Sequence, residues 1–558
     1  MNNKLRIAQF NRDDIQGGAA KASYRLYKGL KKINTSIDYF VKNRSLEDPN
    51  IIKLKQLSND IKNFESEINH HYINQNRSLK TNTLFSFSYN NSIFESISKY
   101  DIINLHWIDF FLSFENIYSL CQTNKPIVWT LHDMRPFTGG CHYSNGCEKF
   151  SKDCLKCEQL LEDKLYLPSK NLNLKKQIIE NANLTIVAPS IWLAKEAKKS
   201  LLFKNKRIEV IPNSIDSTIF QAIDKNKAKK LLKIATDTIV LGFGVLNHNE
   251  SRKGFNELLI AIKKIESSLK EKKVIGLFFG QSDIKDFPIP IINNGHISDE
   301  KELSLVYSAL DIFILPSLED NLPNTILESL SCQTPIIAFD TGGIRDIVSQ
   351  ENGILVEKSN TSSLSNAILE LVNNKKLREE KGKRGRELIV KNYQIETQAK
   401  RYLELYQELI KTEYNYISEV DINKTLDPII GYMSRNYSLY DSISKQREKE
   451  IFLKNFRSFF KSISKLDKKD KYLIYGSGTI GQTIKAFLPK KHFVAFIDAS
   501  SELISKNIEN NKSYSPKNIS NMKFDKIIIS VLGQEEEIER YLINSYNIKK
   551  SKITKLRV

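Results

Sequence analysis

Short apolar runs alternate with amphipathic, helix-spaced segments along most of this 558-residue chain. The runs lie at 4–10, 101–107, 126–131, 183–188 and 208–212, and then at 238–245, 274–280 and 311–315. Apolar runs of this length between helical segments predict buried strands of parallel sheets. The pattern therefore predicts an α/β protein with two Rossmann-like domains, one after the other in the chain.

The C-terminal part of the chain repeats this arrangement on a smaller scale. KYLIYGSGTIGQTIKAFL predicts a strand, a glycine turn and a helix, and FVAFID and FDKIIISVL predict two further strands. A G-x-G-x-x-G turn, with an acid about twenty residues later at a strand end, is typical of a nucleotide-binding Rossmann unit. The residues in question are Gly476, Gly478, Gly481 and Asp498. We predict a small Rossmann-like domain over 470–558, which binds a nucleotide or has a structural role, after a partly helical linker over 413–469.

The stretch LPSLEDNLPNTILE, residues 315–328, carries the clearest candidate chemistry. It joins a predicted strand to a predicted helix, and ligands of open α/β sheets bind at the carboxyl ends of strands, where a helix N-terminus suits a phosphate. Its carboxylates can accept hydrogen bonds from sugar or ribose hydroxyls. The candidate residues are Glu319, Asp320, Asn321, Leu322, Asn324, Thr325 and Glu328. The alternative is that these carboxylates only cap a helix.

This stretch resembles the acidic motif of the retaining glycosyltransferases of family 4, and SCQTPIIAFDTGGIRDIV resembles the usual continuation of that motif. The family has Glu at the position of Asp320. The resemblance covers residues 1–412 and implies the two-domain GT-B fold, with two Rossmann-like domains facing across a cleft. It implies an acceptor-side domain over 1–210, a nucleotide-sugar domain over 211–395 and a closing helix over 396–412 that packs back on the first domain.

Four further elements are candidate parts of the same site. Gly17 and Gly18 form a turn directly after the first strand, where a ligand could approach the backbone. His132 ends a strand and begins HDMRPFTGGCHY, a run typical of a polysaccharide-building branch, and it matches the histidine that contacts the donor sugar in many GT-B enzymes. Arg252 and Lys253 precede a helix and could clamp a diphosphate. By resemblance, the loop Gly295, His296 and Ile297 lies against the nucleotide base.

Four of the six cysteines are crowded as C-x5-C-x6-C-x2-C. They are Cys141, Cys147, Cys154 and Cys157. Four soft ligands suit a structural zinc ion, and unligated or redox-paired thiols are the alternatives. Four thiolates would leave no open coordination position, so a catalytic zinc ion is not expected here.

Composition limits the functional classes further. The chain has 41% hydrophobic residues, which excludes a disordered protein, and its net charge of +19 suits an anionic partner. Nucleotide-sugars and an anionic membrane surface qualify, whereas nucleic-acid binding rests on charge alone and has no motif behind it. The N-terminus lacks a signal-peptide core, and no stretch approaches 18 uninterrupted apolar residues. We expect a cytoplasmic protein that could contact the inner face of the cell membrane.

Together these features predict a retaining transfer of a sugar from a nucleotide-sugar to a saccharide or lipid-linked saccharide acceptor in cell-surface polysaccharide synthesis. Arg252 and Lys253 would neutralise the departing diphosphate, Glu328 would hold the ribose, and Asp320 with His132 would hold the hexose. No metal or other cofactor is required in this scheme. Two alternatives stay open: a sugar-nucleotide epimerase on the same fold, and a non-catalytic nucleotide-sugar-binding assembly protein.

Overall fold

The structure is a computed structural model that describes residues 4–33, 35–54, 96–160, 163, 166–245, 250–280, 284, 286–412, 469–476, 485, 492–497, 513–530 and 535–555. The predicted linker over 413–469 lies outside these residues except for its last position. Within the described ranges, no helix is long and apolar enough to cross a membrane.

The first domain is built on a sheet of seven described strands, all parallel, in the order β3-β2-β1-β4-β5-β6-β7. The strands are β1 (Arg6–Asp13), β2 (Ser36–Asn43), β3 (Ile51–Lys53), β4 (Ile102–Leu105), β5 (Ile127–Thr130), β6 (Leu184–Ala188) and β7 (Arg207–Val210). Along β1, Ala8 and Phe10 pack into one core and Ile7 into another. The sheet is therefore buried on both faces, which explains the continuous apolar runs of its strands.

Helices cover both faces of this sheet. They are α1 (Gly18–Lys32), α2 (Phe114–Cys121), α3 (Leu167–Ile179) and α4 (Ile191–Lys199). The helix α1 starts directly after the turn that contains Gly17, whose φ of 95° is in the left-handed region that favours glycine. The glycine turn thus redirects the chain from the central strand into the helix above it.

The second domain contains a parallel sheet of six described strands in the order β10-β9-β8-β11-β12-β13. The strands are β8 (Ile239–Gly244), β9 (Val274–Phe279), β10 (Ile291–Asn293), β11 (Ile312–Leu315), β12 (Ile336–Phe339) and β13 (Gly353–Val356). Its helices are α5 (Lys225–Leu231), α6 (Phe255–Lys264), α7 (Glu266–Lys270), α8 (Glu300–Ala309), α9 (Asn324–Ser331), α10 (Thr361–Asn373) and α11 (Lys375–Asn392). In both sheets the order reverses beside the first strand, so each has a ligand-binding crevice at the carboxyl end of that strand.

The chain crosses between the two domains at two adjacent places. Residues after β7 lead into the second domain, and residues before α12 (Ile395–Leu409) lead back. The two crossings touch, because the Ile215 N–H donates to the Tyr393 carbonyl at 2.9 Å and Ile215 pairs with Gln394 in a parallel bridge. They therefore form one connection made of two chain segments.

The helix α12 lies against the first domain. A Cβ at Gly29 of α1 would lie 2.8 Å from the Ala399 side chain, so only glycine allows the two helices to approach this closely. The buried Tyr406 hydroxyl lies 2.7 Å from the Asn104 amide, and the Tyr402 hydroxyl lies 3.0 Å from Thr130. The helix α12, which follows the return crossing, is thus fixed to the sheet of the first domain.

The C-terminal unit contains five described strands, all parallel, in the order β16-β15-β14-β17-β18. They are β14 (Tyr472–Tyr475), β15 (Phe493–Ile497), β16 (Ser513–Tyr514), β17 (Lys526–Ile529) and β18 (Ile553–Lys555), with α13 (Glu535–Tyr546) on one side. The order repeats that of the two larger sheets, and Gly476 has a φ of 102° directly after β14. The α/β class with a third small sheet domain is confirmed. The other fingerprint residues, Gly478, Gly481 and Asp498, lie outside the described residues.

Candidate functional site

A cleft of about 890 Å³ separates the carboxyl ends of the two large sheets. Every predicted catalytic and donor-binding residue lines it except Gly295. Gly295 has a φ of 59°, and its carbonyl accepts a hydrogen bond of 2.7 Å from the Gly280 N–H. That glycine therefore shapes the turn, and its neighbours His296 and Ile297 face the cleft.

The acidic stretch forms the turn between β11 and α9, as the sequence predicts. The helix begins at Asn324 after Pro323, and no side chain caps its first turn. The capping alternative for the carboxylates is therefore not what the structure has. The Asn324 Oδ1 and Thr325 Oγ1 atoms are buried without a hydrogen-bond partner among the described residues. The start of this helix thus presents polar atoms that the protein itself does not satisfy.

Asp320 is 5% exposed and pairs with both predicted cations. Its Oδ2 atom lies 2.6 Å from the Lys253 Nζ and 3.4 Å from the Arg252 Nη1. Burial alone raises the pKa of Asp320, but the charges of Lys253 and Arg252 outweigh burial and lower this pKa to about 2. The carboxylate is therefore ionised at neutral pH, and the two cations meet at one point of the cleft.

The turn before α6 places these cations. Gly254 has a φ of 71°, and a Cβ there would lie 1.8 Å from the Pro316 carbonyl, so the chain passes directly over the end of β11. Arg252 is fixed by two acceptors, because its Nη1 donates to the Glu319 carbonyl at 2.7 Å and its Nη2 lies 2.6 Å from Glu250. The guanidinium thus has a defined position beside the acidic turn.

Tyr143 and Asn145, which the sequence did not single out, reach this turn from the first domain. The Tyr143 hydroxyl donates to Asp320 Oδ1 at 3.3 Å, and the Arg252 guanidinium lies 4.2 Å from the centre of the Tyr143 ring. The Asn145 N–H donates to Glu319 Oε2 at 3.0 Å. Their signal was available, since Tyr143 directly follows the GGCH sequence that marks the loop and Asn145 lies two residues further along.

Glu328 is the second carboxylate of the acidic stretch, and it is 3% exposed. The Tyr307 hydroxyl donates to its Oε2 atom at 3.1 Å, and the Arg25 Nη2 lies 3.3 Å from its Oε1 atom. Arg25 belongs to α1 of the first domain and was also missed, because in the sequence it is one of many basic residues in an amphipathic helix. Its contact with Glu328 spans 303 positions of the chain.

His132 lies on the opposite wall of the cleft, next to His106. The His132 Nε2 and His106 Nδ1 atoms are 3.0 Å apart, and the Asn321 amide donates to the His132 carbonyl at 3.2 Å. Burial lowers the pKa of His132 to about 4, although Asp133 acts in the opposite direction. The ring is therefore neutral at physiological pH and can hydrogen-bond a sugar hydroxyl without carrying charge.

Behind His132, a network of charged side chains supports the loop 132–142. His142 Nδ1 lies 2.6 Å from Asp133 Oδ2, and the buried Arg135 lies 2.6 Å from Asp109. Lys175, also buried, donates to the carbonyls of residues 135 and 138 at 2.7 and 2.9 Å. Burial, followed by the charge of Arg135, lowers the pKa of Lys175 to about 7.

Of the four clustered cysteines, Cys141 lies in this loop and the other three follow it in the chain. In the part of the chain that the structure describes, Asp109, Asp133 and His142 are the only group of three or more potential metal ligands whose atoms lie within 4.8 Å of one another. Cys141, Cys147, Cys154 and Cys157 are free thiols and form no such group. No three of their sulfur atoms lie within 4.8 Å of one another, and zinc binding stays a prediction.

Family models match three parts of the chain. Residues 16–218 match the model described as "Glycosyltransferase Family 4", residues 237–374 match "Glycosyl transferases group 1", and residues 468–554 match "C2185-like, N-terminal". The first two ranges carry the second large sheet, the first large sheet apart from β1, and all of the cleft residues described above. The third coincides with the small C-terminal sheet.

Curated relatives match part of the chain. The chain is 26% identical over 241 residues to the capsular polysaccharide biosynthesis glycosyltransferase CapM of Staphylococcus aureus, covering 40% of this chain and 62% of the relative. It is 23% identical over 288 residues to the putative colanic acid biosynthesis glycosyl transferase WcaC of Escherichia coli, covering 48% of this chain and 65% of the relative. The chain thus spans just under two thirds of the length of these relatives.

Solved structures share the architecture of the first two domains. Sucrose-phosphate synthase from Thermosynechococcus elongatus superposes with a TM-score of 0.50 at 19% identity, over 73% of this chain and 100% of that chain. WaaG, a glycosyltransferase involved in lipopolysaccharide biosynthesis, superposes with a TM-score of 0.51 at 11% identity, over 72% of this chain and 99% of that chain. At these identities the similarity shows the fold alone, which is the GT-B arrangement.

Proposed function

Because this chain belongs to the family 4 glycosyltransferases of GT-B fold, we propose that it transfers a sugar from a nucleotide-sugar to a saccharide or lipid-linked saccharide acceptor. We further propose that the transfer retains the configuration of the anomeric carbon and serves cell-surface polysaccharide synthesis. One observation carries the proposal: Arg252, Lys253, Asp320 and Glu328 line a single cleft whose opposite wall contains His132.

The cations are the basis for the leaving-group role. A diphosphate that departs from the sugar gains negative charge, and fixed positive groups that meet this charge lower the barrier. Lys253 and Arg252 converge within 3.4 Å of one carboxylate oxygen, so a phosphate oxygen near that point would meet both. The start of α9 adds backbone N–H groups and the positive end of a helix dipole. In this scheme these groups take the place of a divalent metal.

In this proposal the two carboxylates bind different parts of the donor. Asp320 and the neutral His132 face each other across the cleft, and we assign to them the hydroxyls of the hexose. Glu328 lies on α9, after the turn that contains Asp320, and we assign to it the hydroxyls of the ribose. His296 and Ile297 line the same cleft and would contact the base. Gly17 and Gly18 line the cleft from the first domain, near Asn324, whose amide donates to the Gly18 carbonyl at 2.9 Å.

The acceptor would enter along the first domain, where Trp107, Asp133 and His142 line the cleft. The high positive charge of the chain favours an acceptor held at an anionic membrane surface, and we propose a peripheral contact of this kind. We also propose that the C-terminal sheet domain binds a nucleotide or anchors a partner. Neither role is needed for the transfer step.

The test uses the purified full-length chain. A panel of nucleotide-sugars is first screened for thermal stabilisation, because a ligand that binds the folded state raises the melting temperature. The preferred donor is then incubated with and without oligosaccharide acceptors, and the anomeric configuration of the product is read by NMR. Turnover of the donor to an epimer without acceptor would identify the epimerase alternative. Absence of any transfer with a tightly bound donor would favour the binding-protein alternative.

Two variants test the residue assignments. Lys253→Ala removes a cation from the leaving group, and Glu328→Gln removes the charge of the proposed ribose ligand; both should abolish transfer. Lys264→Ala is the matched control, because Lys264 ends α6 and bonds the exposed side chains of residues 361 and 362 outside the cleft. Near-normal turnover in Lys253→Ala or Glu328→Gln would defeat the assignment.

A further inference from the structure

We propose that Arg25 is a positioning residue that fixes the ribose-binding carboxylate of the second domain from the first domain, so that recognition of the ribose requires a closed cleft. This inference rests on the proposed function of Glu328. It adds a residue from the opposite domain to the donor site, and it makes the affinity for the donor a measure of domain closure.

The position of Arg25 is the first observation. Its side chain is 4% exposed although it lies on α1, which packs on the first sheet. The guanidinium projects across the boundary between the domains, where Nη2 lies 2.9 Å from Glu300 Oε1 and 3.3 Å from Glu328 Oε1. Both acids belong to helices of the second domain. The ion pairs of Arg25 therefore exist only while the two domains are in contact.

The environment of Glu328 is the second observation. Its two oxygens have different partners, since Oε2 accepts from Tyr307 and Oε1 faces Arg25. Tyr307 is held within the second domain by edge-on contacts with Phe279 and Phe313. One oxygen is thus fixed from the same domain and the other from the opposite domain.

A carboxylate oxygen has two acceptor sites, so each oxygen of Glu328 can still accept a hydrogen bond from a ribose hydroxyl. To accept hydrogen bonds from both hydroxyls of a vicinal diol, the carboxylate must present its two oxygens to the diol in one defined orientation. Tyr307 contacts only one of the two oxygens, so on its own it does not stop the carboxylate of Glu328 from rotating about the Cγ–Cδ bond. The contact from Arg25 Nη2 to the other oxygen stops this rotation and places a positive charge beside the buried carboxylate.

The remaining contacts of Arg25 fit a fixed guanidinium. It lies 5.6 Å from the centre of the Phe220 ring, and its Nη1 is 3.4 Å from the carbonyl of Ser214, in the segment that joins the domains. The residue thus contacts the second domain and the connecting segment at once. When the cleft opens, Glu328 loses a cation and one of its two orienting partners.

The experiment measures recognition of the ribose directly. Uridine, guanosine and adenosine diphosphate are titrated by calorimetry, and the tightest binder is compared with its 2′,3′-dideoxy analogue. The unmodified chain should prefer the ribonucleotide. In Arg25→Met this preference should fall by about tenfold, which lies within the usual range of coupling between sites. Arg25→Lys should give an intermediate preference, because an ammonium group keeps the positive charge beside Glu328 but has no second nitrogen to contact the Ser214 carbonyl.

Lys28→Met is the matched control. Lys28 lies one turn further along α1, and its Nζ is 3.7 Å from Asp216 of the connecting segment, but it does not contact Glu328. A general weakening of the domain contact would affect both methionine variants, whereas the proposed role affects only Arg25→Met. The preference for the ribonucleotide should be unchanged in Lys28→Met.

The outcomes separate this inference from the proposed function. If the unmodified chain binds none of the diphosphates and transfers no sugar, the proposed function fails. If it binds them with a preference for the ribonucleotide and Arg25→Met keeps that preference, only the role of Arg25 fails. Should Arg25→Met not fold, Arg25→Lys decides the question, and an unchanged preference in that variant overturns the inference.

Discussion

Replacing Asp320 by Asn keeps the size of the side chain and removes its charge. In the structure, Lys253 and Arg252 are paired with this carboxylate, and a donor diphosphate would approach the same two cations. We therefore expect Asp320→Asn to bind a nucleoside diphosphate more tightly than the unmodified chain. Sugar transfer should nevertheless be lost, because the amide cannot accept hydrogen bonds from hexose hydroxyls at both of its terminal atoms.

The magnitude follows from the pKa of Asp320, which is lowered from 3.8 to about 2. This shift corresponds to about 2 kcal/mol of stabilisation by the ionised form. Since the pKa in the folded state is depressed, that stabilisation is present above pH 4 and is lost as the pH falls towards 2. The Asn variant lacks it and also leaves two cations without a counter-ion, so its free energy of unfolding should fall by about 3 kcal/mol. Removal of the competing charge should tighten diphosphate binding about tenfold, or ~1.4 kcal/mol.

Three measurements test this expectation. Calorimetry with nucleoside diphosphates gives the affinity, product formation gives the transfer rate, and urea denaturation gives the stability. The loss of stability should be the same at pH 5 and at pH 8, because Asp320 is ionised in the folded and unfolded chain at both values. Asp237→Asn serves as the control, since Asp237 is an exposed acid of the same domain that pairs with Lys273.

Three results would refute the reasoning. Diphosphate binding that is tenfold weaker in Asp320→Asn would show that the carboxylate supports the phosphate site instead of competing with it. Near-normal transfer would show that Asp320 does not hold the sugar. A loss of stability equal to that of Asp237→Asn would mean that the ion pairs with Lys253 and Arg252 contribute little.

Three further predictions concern the supporting structure. The pKa of Lys175 is lowered to about 7, so above that pH the unfolded chain binds more protons than the folded chain. The free energy of unfolding should therefore rise by about 2 kcal/mol from pH 7 to 9. Lys175→Met should remove this rise, as measured by urea denaturation. The pKa of His132 is lowered to about 4, so stability should fall by up to about 3 kcal/mol between pH 6.5 and 4, and His132→Phe should reduce that fall. Gly342→Ala should reduce both melting temperature and transfer, because its Cβ would lie 1.8 Å from the Asp320 carbonyl, whereas Gly146→Ala, also at positive φ but with open space, should retain transfer.

The strands and the acidic turn were predictable because their determinants are local. An apolar run followed by a turn and a helix places its last residues at the carboxyl edge of a sheet, whatever the rest of the chain does. The same rule brings His132, Lys253 and Asp320 to facing edges once two such domains are stacked. The family resemblance supplied the stacking, which periodicity cannot provide.

The residues that the sequence did not reveal act over long distances. Arg25 has a regular place in an amphipathic helix, and its partner lies 303 positions away. Lys175 occupies a helix of the first domain, and only the folded loop shows that its ammonium group is buried. The zinc site indicated by the cysteine spacing stays a prediction, and spacing alone does not specify that Cys154 packs into the hydrophobic core whereas Cys147 is only half-buried.

The two touching crossings near Ile215 and Gln394 determine which motions of the cleft are possible. A single flexible connection would let the two domains twist and move apart, whereas a connection of two chain segments acts as a hinge at one edge of the cleft. Rotation about this hinge displaces the side of the cleft far from the connection more than the side near it. A substrate can therefore enter from the side opposite the connection while the two walls keep their alignment.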